Sequence, residues 1–191
     1  MTRRNQGRTE GSSEEAVRVG AMLVRQIVSI LALPCTVTVL APWWIVRRVP
    51  IAFTTPGGVV DLLVVLAGAA CGVVGLSLFA WSLYHFWTQG RGTLAPWDPP
   101  RRFVVSGPYR FVRNPMISGV IFILAAEACV LRSWALTEWT AFFTLINAVY
   151  IPAIEEPMLR ARFGDAYERY ARAVRRFVPR LTPYRPEPAQ A

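Results

Sequence analysis

The chain has 191 residues, 53% of them hydrophobic and only 17% charged, and its formal net charge of +9 is carried on the basic side by arginine alone. A length of this order holds one domain. The apolar residues fall in long blocks, and arginines beside such blocks are the ordinary positive-inside signature of a membrane protein, which argues against a nucleic-acid partner despite the charge. Cys35, Cys71 and Cys129 lie inside apolar runs without metal-ligand spacing, so they read as small hydrophobes and no metal site is expected.

Residues 1–20 are polar, lack an apolar signal core and read as a flexible cytoplasmic tail. A membrane domain is expected over 21–180. A hydrocarbon core of about 30 Å needs about 20 apolar helical residues, and four segments qualify: 22–46, 59–87, 116–131 and 134–154. In the first, Arg25 can snorkel, Pro34 is a kink that membrane helices tolerate, and Trp43 and Trp44 suit an interfacial belt. The second carries Gly68, Gly72 and Gly75, which permit close approach of another helix. Only Arg132 and Ser133 separate the third and fourth, which predicts a tight helical hairpin with Glu127 and Glu138 near its turn. Four spans place seventeen arginines, in the tails and the 88–115 loop, on one side of the membrane against three on the other. Both termini and the 88–115 loop are therefore expected in the cytoplasm. The fold class is all-α, an integral membrane helical bundle with about four transmembrane helices and a cytoplasmic amphipathic C-terminal helix.

That last helix is predicted over 156–177. Leu159, Phe163, Tyr167, Tyr170, Val174 and Phe177 recur every three or four residues and form one face, with arginines on the others. Asp165 and Glu168 resemble a capping box that restarts the helix after Gly164. The helix reads both as a basic element lying on anionic lipid and as a lid over a cytoplasmic pocket. Residues 181–191, rich in proline, read as a loose tail.

The stretch "SGPYRFVRNPMISG", Ser106–Gly119, puts a polar, cationic turn at the start of span three, with Pro115 suited to its first turn. Arg110, Arg113 and the free amides of that helix start make a candidate anion site. Glu155 and Glu156 end span four on the same side, where carboxylates are costly unless paired or solvated. A cationic cluster facing an acidic pair suits a zwitterion such as an amino-acid headgroup. His85, the single histidine, reads as interfacial packing, and Trp97 as a cover for a ring or the lipid surface.

"GPYRFVRNP" followed by "EEPMLRARFGDAYERYARAVRRFVP" resembles the isoprenylcysteine carboxyl methyltransferase and phospholipid methyltransferase superfamily, in a bacterial-type form, over about residues 60–180. The resemblance implies an integral protein of the bacterial inner (plasma) membrane that binds S-adenosylmethionine at the cytoplasmic face and takes a lipophilic small molecule or lipid from the bilayer. Carried over by position, Gly107, Pro108, Tyr109, Arg113, Asn114, Pro115, Gly119, Glu156, Tyr167 and Tyr170 are implied to bind the cofactor, with Phe163 and Gly164 in the same C-terminal pattern. Arg110, Arg113, Glu155 and Glu156 are implied to serve catalysis. Asn114 stands where many members have histidine, and Ile117 where the pattern has tyrosine, which removes a hydroxyl.

A carboxylate acceptor needs only a cationic holder such as Arg110 or Arg113, whereas an amine must lose a proton, a task for Glu155 or Glu156. Both chemistries stay open. The "RNP" form also resembles membrane sterol reductases that use a nicotinamide cofactor, and a non-catalytic membrane protein retaining the fold is the third reading. The acceptor is expected to arrive sideways from lipid, through a gap where Gly68, Gly72 and Gly75 thin the wall of span two.

Overall fold

The computed structural model describes residues 31–49, 57–90 and 103–185. Residues 1–30, including Arg25, and the segment 91–102, including Trp97, lie outside the described residues. All regular structure among the described residues is helical.

A π-wound stretch, Leu31–Leu40, leads into α1, Ala41–Arg48. Pro34 has no amide hydrogen to give to an α-helical ladder. It falls inside the wider winding, where Thr38 Oγ donates to the Pro34 carbonyl at 2.8 Å. Trp43 and Trp44 are exposed, and Arg47 and Arg48 lie over their rings at 4.0 and 5.4 Å from the ring centroids.

Helix α2, Val59–Gly90, has 32 residues, three beyond the predicted end, and at 1.5 Å per residue spans about 48 Å. Its apolar stretch has a mean hydropathy of 2.5, and it is the one described helix long and apolar enough to cross a membrane. Helix α3, Pro115–Val130, and α4, Trp134–Tyr150, form the predicted hairpin. Arg132 makes its turn at φ +49, and Ser133 caps α4 by accepting from the Leu136 amide at 3.4 Å. An Arg132–Asp61 ion pair at 3.3 Å ties the hairpin tip to the beginning of α2. Trp139 Nε1 donates to the Val37 carbonyl at 3.2 Å and joins α4 to the first helical stretch.

The glycines of α2 set the main packing. A Cβ on Gly68 would lie 2.7 Å from Cys129 Cβ, and one on Gly75 would lie 2.8 Å from the Ile123 amide nitrogen and 2.9 Å from the Gly119 carbonyl. Helix α3 therefore lies directly on these glycines, as small residues permit. The same contact differs from the expected thin wall: at Gly68, Gly72 and Gly75 the face of α2 is covered by α3.

The fourth apolar segment does not stop at residue 154. Ile151–Glu155 continues as a π-turn around Pro152, and α5, Glu156–Ala173, follows without a loop. Gly164, at φ +51 and ψ −132, breaks α5 where the restart is predicted. Tyr167, Tyr170 and Val174 are buried against Phe103, Val105, Leu159, Phe163 and Tyr184, a small core separate from the α2–α3 contact. The helix ends at Ala173, four residues before the predicted 177, and Phe177 leaves the buried face. Residues 174–185 instead run as an irregular strap across residues 110–114, so the part of the expected loose tail that is described, 181–185, is anchored.

Candidate functional site

The site grows from the last turns of α2. His85 projects from α2 against Gly107, and its Nδ1 lies 3.0 Å from Ser106 Oγ. Gly107 sits at φ +53, and any Cβ there would run into the His85 ring, so both backbone angle and space require glycine. From that fixed point Gly107–Arg110 wind as a single 3-10 turn around the buried Pro108, with Tyr109 N donating to Ser106 O at 3.1 Å. Asn114 then precedes α3 without capping it through its side chain, and Pro115 takes the first helical position. The first amides of α3 thus receive no side-chain cap, which leaves them available to an anion.

Four backbone hydrogen bonds hold the strap to this motif. Arg113 N donates to Arg175 O at 2.9 Å, Asn114 N to Arg176 O at 3.2 Å, Arg180 N to Phe111 O at 2.9 Å and Tyr184 N to Arg110 O at 2.9 Å. Arg110 also donates Nε to the Tyr184 carbonyl at 2.7 Å, so its guanidinium serves the strap. Tyr170 OH donates to the Tyr109 carbonyl at 2.6 Å and joins α5 to the 3-10 turn.

Glu156 is the electrostatic centre. Its side chain is 2% exposed and meets Arg113 at 3.0 Å, Arg160 at 3.4 Å and Arg176, whose Nη2 donates to Oε2 at 3.0 Å. Burial pushes the Glu156 carboxyl up. The Arg176 hydrogen bond, followed by the charges of Arg113, Arg176 and Arg160, outweighs it and holds the group below the usual carboxylate range. Glu155, one residue earlier on the π-turn, meets the opposite environment. Among the described residues no basic side chain pairs with it, and burial, then the neighbouring Glu156 charge, pushes its pKa up. Burial, then the Glu155 charge, likewise raises the Tyr109 hydroxyl above the usual phenol range. Arg113 keeps one buried nitrogen, Nε, with no hydrogen-bond partner.

The structure thus brings Gly107, Pro108, Tyr109, Arg110, Arg113, Asn114, Pro115, Glu155, Glu156, Tyr167 and Tyr170 to one end of the bundle, as the sequence motifs suggest. It distributes them differently. Arg113 and Glu156 pair with each other. Arg110 tethers the strap. Gly119 lies in the helix crossing, where a Cβ would sit 2.9 Å from the Phe79 amide nitrogen. Sequence reasoning missed Arg160, Arg176, Tyr184 and the His85–Gly107 contact. The i, i+4 spacing of Glu156 and Arg160 is a local signal for the first, whereas Arg176 and Tyr184 carry none, since their partners lie 20 and 74 residues away.

The family model for phospholipid methyltransferases matches residues 63–166, more than half of the chain. The chain belongs to the phospholipid methyltransferase family. Comparison with curated proteins and with solved structures gives no match. The matched region of this family member contains α2 from its fifth residue, Leu63, the 3-10 turn, the α3–α4 hairpin and both glutamates. It ends just before Tyr167, so the strap and the Arg176 contact are added by the segment that follows.

Proposed function

We propose that the protein is an integral membrane methyltransferase that uses S-adenosylmethionine and modifies a lipophilic acceptor, with four spans, both termini in the cytoplasm and its site at the cytoplasmic face. The family membership and the opposite environments of Glu155 and Glu156 support this reading. Glu156 is fully committed to three arginines, which leaves Glu155, the buried Nε of Arg113 and the uncapped amides of α3 as groups free to meet a ligand. That donor set fits an amino-acid headgroup, with Glu155 for the ammonium and Arg113 with the α3 amides for the carboxylate. The cofactor supplies an electrophilic methyl on a sulfonium. The chain supplies alignment and exclusion of water: the 3-10 turn is pinned by His85 and Tyr170, and Arg113 is pinned through Glu156. For an amine acceptor, Glu155 is the better base of the two carboxylates, because its raised pKa favours taking a proton while the three arginines hold Glu156 ionised. A carboxylate acceptor would need no base.

The test is a binding titration on the detergent-purified protein with S-adenosylmethionine, S-adenosylhomocysteine and a reduced nicotinamide dinucleotide. Saturable binding of the first two, weakened in folded Glu155→Gln, is the expected result. Binding of the nicotinamide alone would establish the reductase reading, and no binding in folded protein would establish the non-catalytic one.

A further inference from the structure

The strap has two unlike sides. Val174, Arg176, Arg180 and Tyr184 turn inward onto α5, Glu156 and the 110–114 stretch. Arg175, Phe177, Val178 and Leu181 are exposed, Leu181 completely. Apolar side chains clustered on a surface and rimmed by charge mark a contact face, and here the rim is basic: Arg169, Arg172 and Arg175 are all exposed. Arg172 is paired with the exposed Glu168 at 3.2 Å, a surface pair that water screens and a stronger anion can replace.

The neighbours of the strap fix its level relative to a membrane. The strap is bonded to residues 110–114, which lead straight into α3, and Gly107 rests on His85 near the end of α2. Trp81, Tyr84 and Trp87, around His85, are exposed. Exposed aromatics at the end of a long apolar helix occupy the headgroup layer. On the membrane reading above, the outward side of the strap comes level with the depth where acyl chains give way to lipid phosphates.

We propose that the outward side of residues 175–181, together with Arg169 and Arg172 of α5, is a docking surface for anionic membrane lipid. Phe177, Val178 and Leu181 enter the boundary of the acyl region while the guanidiniums pair with lipid phosphates. The proposal rests on the membrane reading above. Its consequence is a coupling, because the opposite side of the strap holds the backbone of Arg110–Asn114: a docked strap orders the motif, and a released one loosens it.

The experiment uses the full chain with Cys35, Cys71 and Cys129 replaced by alanine. A spin label is placed at Leu181→Cys or, as a control, at the exposed Leu66→Cys of α2. Each protein is reconstituted in vesicles of phosphatidylcholine, with or without phosphatidylglycerol, and label depth is read from relaxation by oxygen against a water-soluble nickel complex. The Leu66 label should be lipid-immersed in both vesicles. The Leu181 label should be immersed with phosphatidylglycerol and aqueous without it. Each basic side chain near an anionic surface changes the docked-to-free ratio by roughly fivefold, so Arg172→Glu with Arg175→Glu should shift that ratio by more than about 20-fold and return the label to water. An aqueous Leu181 label in phosphatidylglycerol beside an immersed Leu66 label overturns the docking surface and assigns the face to water or a protein partner. Equal immersion in both vesicles overturns the anionic preference. An aqueous Leu66 label overturns the membrane reading itself.

Discussion

Glu155→Gln and Glu156→Gln change one oxygen to an amide in adjacent residues, yet the structure assigns them opposite consequences. At Glu156 the substitution removes the negative charge at the centre of three guanidiniums. The Arg160 and Arg176 side chains are 46% and 41% exposed, so water takes over much of their charge and each loss resembles that of a surface pair, about 0.2–1 kcal/mol. Arg113 is only 11% exposed and pairs with no other carboxylate among the described residues. Removing one partner of a buried pair costs about 3–5 kcal/mol, and glutamine keeps one oxygen acceptor, so the lower end applies. A loss of about 3 kcal/mol corresponds to roughly 6–12 °C in the unfolding midpoint of a chain of this size. At Glu155 the charge is already disfavoured by burial and by Glu156, so neutralising it should leave stability unchanged or raised at neutral pH while weakening cofactor binding.

The pH dependence follows from the two shifts. The folded-state pKa of Glu156 is depressed, so its contribution is complete above the ordinary glutamate value and is lost as pH falls through the depressed one. The folded-state pKa of Glu155 is raised, so its penalty is absent below the ordinary value and grows as pH rises through the raised one. Thermal unfolding in detergent, followed by tryptophan fluorescence across pH, should show the acid limb flattened in Glu156→Gln and the limb on the less acidic side flattened in Glu155→Gln. A Glu156→Gln protein that unfolds within a degree of wild type, or a Glu155→Gln protein that loses as much as Glu156→Gln is expected to lose, would refute the assignment of the clamp to Glu156.

Two backbone contacts give further predictions. Gly107→Ala places a Cβ in the left-handed region, at about 1–2 kcal/mol, and drives it into His85, so it should lower the unfolding midpoint; His85→Ala in the same background should recover part of the loss, and no recovery would contradict the contact. Gly119→Val should separate α3 from α2 at Phe79 and Gly75, costing about 1–3 kcal/mol or more; unchanged thermal unfolding and unchanged protease resistance of the hairpin would contradict the packing.

Most of the helical layout is legible in the chain because periodicity and length are local properties. The hairpin turn at Arg132 and Ser133, the break at Gly164 and the buried face through Tyr167, Tyr170 and Val174 follow from residue spacing alone. The continuity of α4 into α5 does not, because Pro152 and an acidic pair read as a helix end. The π-turn absorbs the proline, and three distant or neighbouring arginines neutralise Glu156. The site is legible to the same depth: the motifs select the residues that meet but not their partners. Arg113 carries the same charge whether it faces a ligand or Glu156, and the folded positions of Arg113, Arg160 and Arg176 together decide which carboxylate is paired.

The strap shows why composition misleads at the end of the chain. Proline-rich sequence reads as loose because proline cannot join a helix and gives no amide to a ladder. Here both strap residues after proline donate to the motif, Arg180 after Pro179 to Phe111 and Tyr184 after Pro183 to Arg110. Proline fixes its own φ and disfavours helical backbone in the residue before it, so the segment is kept out of a helix and presents the following amides sideways. Among the described residues the bonds to the motif run through backbone atoms, with Arg110 Nε the one motif side chain reaching a strap carbonyl. Many side chains could accompany such bonds. A contact made in this way leaves little mark in the amino-acid pattern, and it becomes visible only when the 110–114 stretch and the strap are placed side by side.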